Sequence, residues 1–367
     1  MKIAIVVGTR PEIIKMSPII RECERTHQDF FILHTGQHYS YNMDRVFFEQ
    51  LELPEAKYNL DVGSGSHAGQ TGKILIGIGQ VLTKEQPDVV LVEGDTNTVL
   101  AGALAATKLH INVGHVEAGL RSYDRTMPEE INRVLTDHIS DFLFAPTEKS
   151  KQTLLKEGIE ENKIFVTGNT IVDAVYQNLE LANKKADVLE QLDLKEKEYF
   201  LVTTHRQENV DNKDRFQGIL SGLQQLAKEY EMPVVYPIHP RSRKKMEEFG
   251  LSADNITLID PQDLFGFLQL EQHAKLVLTD SGGVQEETCI LGNPCVTLRD
   301  NTERTETLDV GSNVLAGTYP DDIVDSVSVM FNKERDERNP FGDGTSGKKI
   351  VNILVKNLDV LNESFNE

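Results

Sequence analysis

Side chains able to do chemistry recur in this 367-residue chain at one kind of place, the few residues that follow a short apolar run. They are Gly8-Thr9-Arg10-Pro11-Glu12, Gly36-Gln37-His38, Gly94-Asp95-Thr96, Glu117-Ala118-Gly119, His205-Arg206-Gln207-Glu208, His239-Pro240-Arg241 and Asp280-Ser281-Gly282-Gly283. One such turn is ordinary, because Gly relieves a tight bend and Ser, Thr or Asp caps a helix. Histidines, arginines and carboxylates repeated at seven of them point to a ligand site. In the first, Pro11 suits the opening turn of a helix, and Arg10 with Lys15 places cations beside its N-terminus, a combination that holds an anion such as a diphosphate. In the last, Gly282 and Gly283 let a phosphate approach backbone N–H groups and Ser281 adds a hydroxyl. Glu287, one turn further on, suits ribose hydroxyls. Together the two turns read as a site for a nucleotide diphosphate.

The acidic residues have a pattern of their own. Asp95 and Glu117 end two apolar runs, and Glu129-Glu130 follow Pro128 at the start of a helix that carries Asn132 and Arg133. Each has a plain structural reading, as a helix cap or a solvated surface carboxylate. Converging with His205 on one site, the same groups would supply general acids and bases whose pKa values burial can separate. Better-known motifs fail. Gly342 to Lys348 imitates a phosphate-binding P-loop, but Lys349 stands where Ser or Thr is needed. The run from Gly63 to Gly69 misses the dinucleotide spacing, and Leu298 occupies the place of the second cysteine in a zinc-deaminase pattern, so neither a bound NAD nor a metal is expected.

Positioning such turns requires a parallel sheet, in which the carboxyl ends of the strands and the helix N-termini face one crevice. The apolar runs at 3–7, 30–35, 88–93, 112–116, 142–145 and 163–167 alternate with helical periodicity and predict a first set of strands. After a Lys-, Glu- and Leu-rich connection the alternation restarts at 199–204, 233–238, 255–259, 274–279 and 294–298. The expected fold is therefore α/β, two doubly wound Rossmann-like domains facing a central cleft. The first domain, 1–170, carries the acids. The second, 171–367, carries the Ser-Gly-Gly turn, and its last helix, near 349–361, is expected to pack back on the first domain.

Composition narrows the class. With 38 Lys and Arg against 58 Asp and Glu, the net charge of −20 repels polyanions, which disfavours nucleic acid and anionic membranes as partners. Three cysteines are too few and odd in number for a disulfide framework, and no apolar run has bilayer length or the form of an export signal, so a cytoplasmic protein is expected.

With these residues assembled, the sequence resembles the non-hydrolysing UDP-N-acetylglucosamine 2-epimerases. The matching segments include Gly-Thr-Arg-Pro-Glu at 8–12, Lys15, Gly94-Asp95-Thr96, Gly-His-Val-Glu-Ala-Gly-Leu-Arg at 114–121, Pro128-Glu129-Glu130, Thr279-Asp280-Ser281-Gly282-Gly283, Gln285-Glu286-Glu287 and Thr302-Glu303-Arg304. The resemblance implies a glycosyltransferase-B-like fold, usually in a homodimer, that interconverts UDP-GlcNAc and UDP-ManNAc without metal or redox cofactor. It implies a UDP-sugar held by Arg10, Lys15, Asp95, Glu117, His205, Gln262, Phe267, Ser281, Gly282, Gly283, Glu287 and Arg304. Acid–base work would fall to Asp95, Glu117, Glu129 and His205. Residues 37–44 differ from the bacterial pattern where a second UDP-GlcNAc acts as allosteric activator. A retaining glycosyltransferase, a hydrolysing epimerase and a nucleotide-sugar sensor are the competing readings.

Overall fold

The computed structural model describes residues 1–37, 41–185, 187–333 and 339–364, so part of the divergent segment at 37–44 lies outside the described residues. Contacts divide the chain into two units, Met1–Tyr176 with Phe341–Glu367, and Gln177–Pro340.

The first unit is built on a seven-stranded parallel sheet. Its strands are β1 (Lys2–Val7), β2 (Asp29–His34), β3 (Tyr58–Asn59), β4 (Val89–Glu93), β5 (Asn112–Val116), β6 (Phe142–Ala145) and β7 (Ile164–Val166), in the order β3-β2-β1-β4-β5-β6-β7. The central strands read Lys-Ile-Ala-Ile-Val-Val and Val-Val-Leu-Val-Glu rather than alternating, because helices cover both faces and both must be apolar. One core layer joins Ala4, Val6, Val90, Val92 and Val113 to Ile74 and Ile78 of the helix His67–Glu85 and to Val99 and Ala103 of the helix Asn97–Lys108.

The last helix, Ser346–Ser364, packs on the helix Arg10–Arg25 of this unit. Pro18 inside that helix removes a backbone donor, and the Ser17 hydroxyl donates to the Ile14 carbonyl at 2.7 Å instead. Gly347 meets the same spot so closely that an added Cβ would stand 2.9 Å from the Pro18 backbone. The buried Asp173 carboxylate accepts the backbone N–H groups of Ser346 and Gly347 at 3.1 and 3.0 Å, tying down the start of the last helix.

The second unit repeats the plan with a six-stranded parallel sheet: β8 (Phe200–Thr203), β9 (Val234–Pro237), β10 (Ile256–Ile259), β11 (Leu276–Thr279), β12 (Cys295–Thr297) and β13 (Asn313–Leu315). The order is β10-β9-β8-β11-β12-β13. Phe216, Ile219, Leu220 and Leu223 of the helix Lys213–Glu229 close one face against Phe200, Val202 and Leu278.

All eleven predicted strands are present, with each end coinciding or shifted by at most two residues. The edge strands β3 and β13 were not expected. They have two and three residues, too few to show a period, and form by pairing with β2 and β12. Among the described residues no helix is long and apolar enough to cross a membrane.

Candidate active site

In the first sheet the chain runs outward from β1 and returns at β4, so the topological switch point lies between these two strands. Gly8 follows β1 where the backbone passes so close to two threonines that a Cβ would collide with Thr98 Oγ1 at 2.2 Å and Thr35 Oγ1 at 2.4 Å. From the first turn of the next helix Glu12 reaches back, accepting the Gly8 N–H at 2.6 Å and the Thr9 hydroxyl at 3.0 Å. Burial pushes the Glu12 carboxyl up to about 7 despite those hydrogen bonds. The Arg10 guanidinium lies over the Phe47 ring, 5.6 Å from its centre.

Beyond β4, Asp95 is held by the Arg133 guanidinium, and Asn132 donates to its carbonyl at 2.9 Å. The turn before it is braced from β5. His115, completely buried, sets Nδ1 2.6 Å from Asp137 and Nε2 2.8 Å from the Gly94 carbonyl. Arg121 in turn bonds the other Asp137 oxygen at 2.7 Å. Directly after β5, Glu117 adopts φ +69°, a left-handed backbone that costs a non-glycine residue of order 1 kcal/mol. Its carboxylate is gripped on both oxygens: Lys15 Nζ lies 2.7 Å from Oε2, and Asn169 donates to Oε1 at 3.2 Å. Lys15 Nζ is also 3.2 Å from Glu93, the last residue of β4.

The pair at the start of the helix Pro128–Ile139 separates cleanly. Glu130 is buried and accepts from the Ser122 N–H and hydroxyl and the Tyr123 N–H at 2.8 to 3.0 Å. Burial acts to raise its pKa, but these bonds and Arg133 outweigh it and leave the carboxyl below its ordinary range. Glu130 thus shapes the preceding loop. The carboxylate of half-buried Glu129 has no hydrogen-bond or ion-pair partner among the described residues, which leaves it available to a ligand.

In the second unit the switch point lies between β8 and β11. Asp280, fully buried after β11, accepts the Thr204 hydroxyl at 2.6 Å, the backbone N–H groups of His205 and Arg206 at 3.1 Å, and the Asn209 amide at 3.1 Å. Burial works to raise its pKa, yet the contacts with His205, Thr204 and Arg206 hold it below the ordinary range. The exposed His205 ring stands with Nδ1 3.3 Å from Asp280. Ser281 caps the helix Gly282–Leu291 by backbone geometry alone, so its hydroxyl is not consumed by the cap. A Cβ on Gly282 would meet Glu303 Oε1 at 2.6 Å, so the Thr302-Glu303-Arg304 loop lies directly against this N-terminus. That loop is fixed by Gln285, which accepts the Thr302 hydroxyl at 2.6 Å, and by Arg304 Nε, 3.3 Å from Glu286.

Gln262 donates to the Asp260 carbonyl at 2.9 Å in the turn after β10, and half-buried Phe267 packs on the core of Tyr199, Leu201 and Val277. Glu287 has an acidic neighbour. Burial first, and then Glu286, push it up to about 7. Glu271, at 0% exposure, lies against Glu287, with no hydrogen-bond donor on either carboxyl oxygen. Burial and Glu287 both drive Glu271 well above the carboxylate range.

Residues 21–355 match the family described as UDP-N-acetylglucosamine 2-epimerase. The chain belongs to that family. It is 58% identical to the UDP-N-acetylglucosamine 2-epimerase of Methanocaldococcus jannaschii, over 97% of this chain and 99% of that protein. It is 57% identical to the Methanococcus maripaludis enzyme of the same name, over 96% and 98%. A crystal structure of the Methanocaldococcus jannaschii enzyme in complex with UDP-GlcNAc and UDP superposes with a TM-score of 0.85 at 58% identity, covering 97% of this chain and all of that one. The two doubly wound parallel sheets are those of the family's glycosyltransferase-B-like fold.

Within this epimerase fold, one constellation gathers Lys15, Asp95 and Glu117 with Gly8 at the end of β1, and Arg10 beside it. A second gathers His205, Ser281, Gly282 and Arg304, one unit away in the chain. Glu93, Asp137 and Glu271, and the bracing role of His115 within the segment 114–121, were not expected from the sequence. A carboxylate ending an apolar strand was the available signal for Glu93. The other three carry none, because His115 and Asp137 lie 22 positions apart and Glu271 stands in the last turn of its helix beside Gln272 and His273, where an acid reads as solvated.

Proposed function

We infer that this protein is an isomerase that interconverts UDP-N-acetylglucosamine and UDP-N-acetylmannosamine. The observation that carries this reading is the Lys15–Glu117 contact of 2.7 Å at the switch point, with Asp95 on the adjoining strand end, in a chain of this family. C2 of the sugar is not adjacent to a carbonyl, so its proton is not acidic enough for simple abstraction. Departure of UDP from C1 solves the problem. The C1–O bond breaks with its electron pair going to UDP, a carboxylate takes the C2 proton, and the C2–H electrons form the C1=C2 bond of 2-acetamidoglucal. UDP then adds back while C2 is protonated on the other face.

In this reading Asp95 and Glu117 take and return the proton, and Glu129 acts on the opposite face or stabilises positive charge at C1. Arg10, Lys15, Arg304, His205 and the Ser281-Gly282-Gly283 helix start stabilise the departing diphosphate. Glu287 grips the ribose, while Gln262 and Phe267 lie along the UDP. No cofactor takes part in this route. The active form is a homodimer in the cytoplasm, in keeping with the family resemblance and with three buried free thiols.

Incubating the purified protein with UDP-GlcNAc alone in D₂O, followed by NMR, tests the function. Reversible appearance of UDP-ManNAc deuterated at C2 is expected. Free ManNAc would reassign it as a hydrolysing enzyme, and an unchanged sugar would point to a transferase or a sensor.

A further inference from the structure

The end of β4 holds an acid that the reaction as written does not use. Glu93 is 2% exposed and pairs in register with Val116, the residue before Glu117. Its Oε1 lies 3.2 Å from Lys15 Nζ, and the same ammonium donates to Glu117 Oε2 at 2.7 Å. Two buried carboxyl groups therefore share a single lysine. Glu12, also 2% exposed and one helical turn before Lys15, is near enough for its charge to act on Glu93. One ammonium compensates one carboxylate. A second ionised carboxylate in this enclosed place would be an uncompensated buried charge, which proteins avoid by keeping the group protonated.

We propose that Glu93 is the neutral member of a Glu93–Glu117 pair, its O–H donating to Glu117, and that it is a positioning residue keeping Glu117 ionised and aimed at C2. The division follows from the partners. Glu117 has Lys15 at the shorter distance and Asn169 on its other oxygen, three bonds' worth of support for negative charge once Glu93 donates. Burial drives Glu93 well above the carboxylate range, Glu117 and Glu12 push the same way, and only Lys15 opposes them. When Glu117 takes the C2 proton it becomes neutral and Glu93 keeps its own, so the pair gains one proton in the forward half-reaction and returns it in the second.

The inference rests on Glu117 acting as acid and base, and the test has one arm that does not. In the full-length protein, the infrared spectrum of wild type minus Glu93→Gln near pH 7 should contain the carbonyl stretch of a neutral carboxylic acid. A carboxylate band in its place would overturn the proposal whatever the enzyme's activity. In kinetics, Glu93→Leu removes the donor and should lower kcat about tenfold with little change in KM, and move the acid limb of the kcat/KM profile upward by about half a pH unit. Glu93→Gln, which keeps an N–H donor, should restore most of the rate and the original limb. Equal loss in both variants, or an unmoved limb in Glu93→Leu, would overturn the role. UDP affinity by calorimetry and the thermal midpoint of each variant establish that the fold is intact.

Discussion

His115 Nε2 lies 2.8 Å from the carbonyl oxygen of Gly94, the residue immediately before Asp95. A completely buried imidazole on β5 thus holds the turn that presents a catalytic candidate at the end of β4. Asp137, 2.6 Å from the other ring nitrogen, fixes the ring, and Arg121 fixes Asp137. Replacing His115 with Ala leaves the part-buried Gly94 carbonyl without this donor and weakens the hold on the buried Asp137 carboxylate. It should cost about 2–4 kcal/mol of stability by denaturant titration. The surviving folded enzyme should lose about tenfold in kcat, because the Gly94 turn that presents Asp95 loses its brace from β5 while Arg133 and Asn132 still hold Asp95 itself.

Conversion of Asp95, Glu117 or Glu129 to its amide should lower kcat by about 10²–10⁴-fold while UDP affinity, measured by calorimetry, stays within a few-fold of wild type. Near-normal turnover in any one variant removes that residue from the catalytic set. The structure separates Glu129 from its neighbour: Glu130→Gln should act through the loop Ser122 and Tyr123 belong to, lowering stability as well as rate.

Asp280 gathers four donors at the second switch point. Asp280→Ala leaves them unsatisfied in a buried place and should destabilise the second unit by about 3–5 kcal/mol and abolish UDP binding. Because the folded-state pKa of Asp280 is depressed, its contribution is present above the ordinary carboxylate pKa and is lost as pH falls through the folded value. UDP affinity measured down the acid range should decline with it.

Glu12 behaves in the opposite sense. Its folded-state pKa, about 7, lies above the ordinary 4.5, so between these values the folded protein binds more protons than the unfolded one. The stability it contributes is fully present below about 4.5 and is lost as pH rises through about 7, an effect of about 3 kcal/mol at most. Thermal midpoints measured from pH 5 to pH 8 should fall less steeply in Glu12→Gln than in wild type.

The buried acid pair Glu271 and Glu287 supplies a related case. Glu271→Gln keeps the volume, cannot ionise and offers an N–H donor to Glu287. It should raise the thermal midpoint above pH 7, where wild type must ionise Glu287 next to Glu271, and leave it nearly unchanged at pH 5. A drop in midpoint at both pH values would show that Glu271 makes contacts other than those to Glu287.

The chain's alternation of apolar runs and amphipathic segments was sufficient for two doubly wound parallel sheets, because strands buried on both faces must be uniformly apolar and their turns must be polar. The same rule puts Arg10, Asp95, Glu117, His205 and Ser281 at strand ends, where ligands bind. It did not reach β3 and β13, which exist only through pairing with a neighbour.

Which of those strand-end residues touch was decided by the tertiary structure. The order β1-β4-β5 sets three carboxyl ends side by side, and the register Glu93↔Val116 brings Glu93 beside Glu117, so that one lysine from the first helix meets both. Spacing in the chain says nothing about such a contact, since Lys15 and Glu117 lie 102 positions apart. Burial follows the same logic. A carboxylate reads alike in any sequence, but only packing removes the water around Glu12, Glu93 and Glu271, and it is that loss of solvation which raises their pKa values above the ordinary carboxylate range.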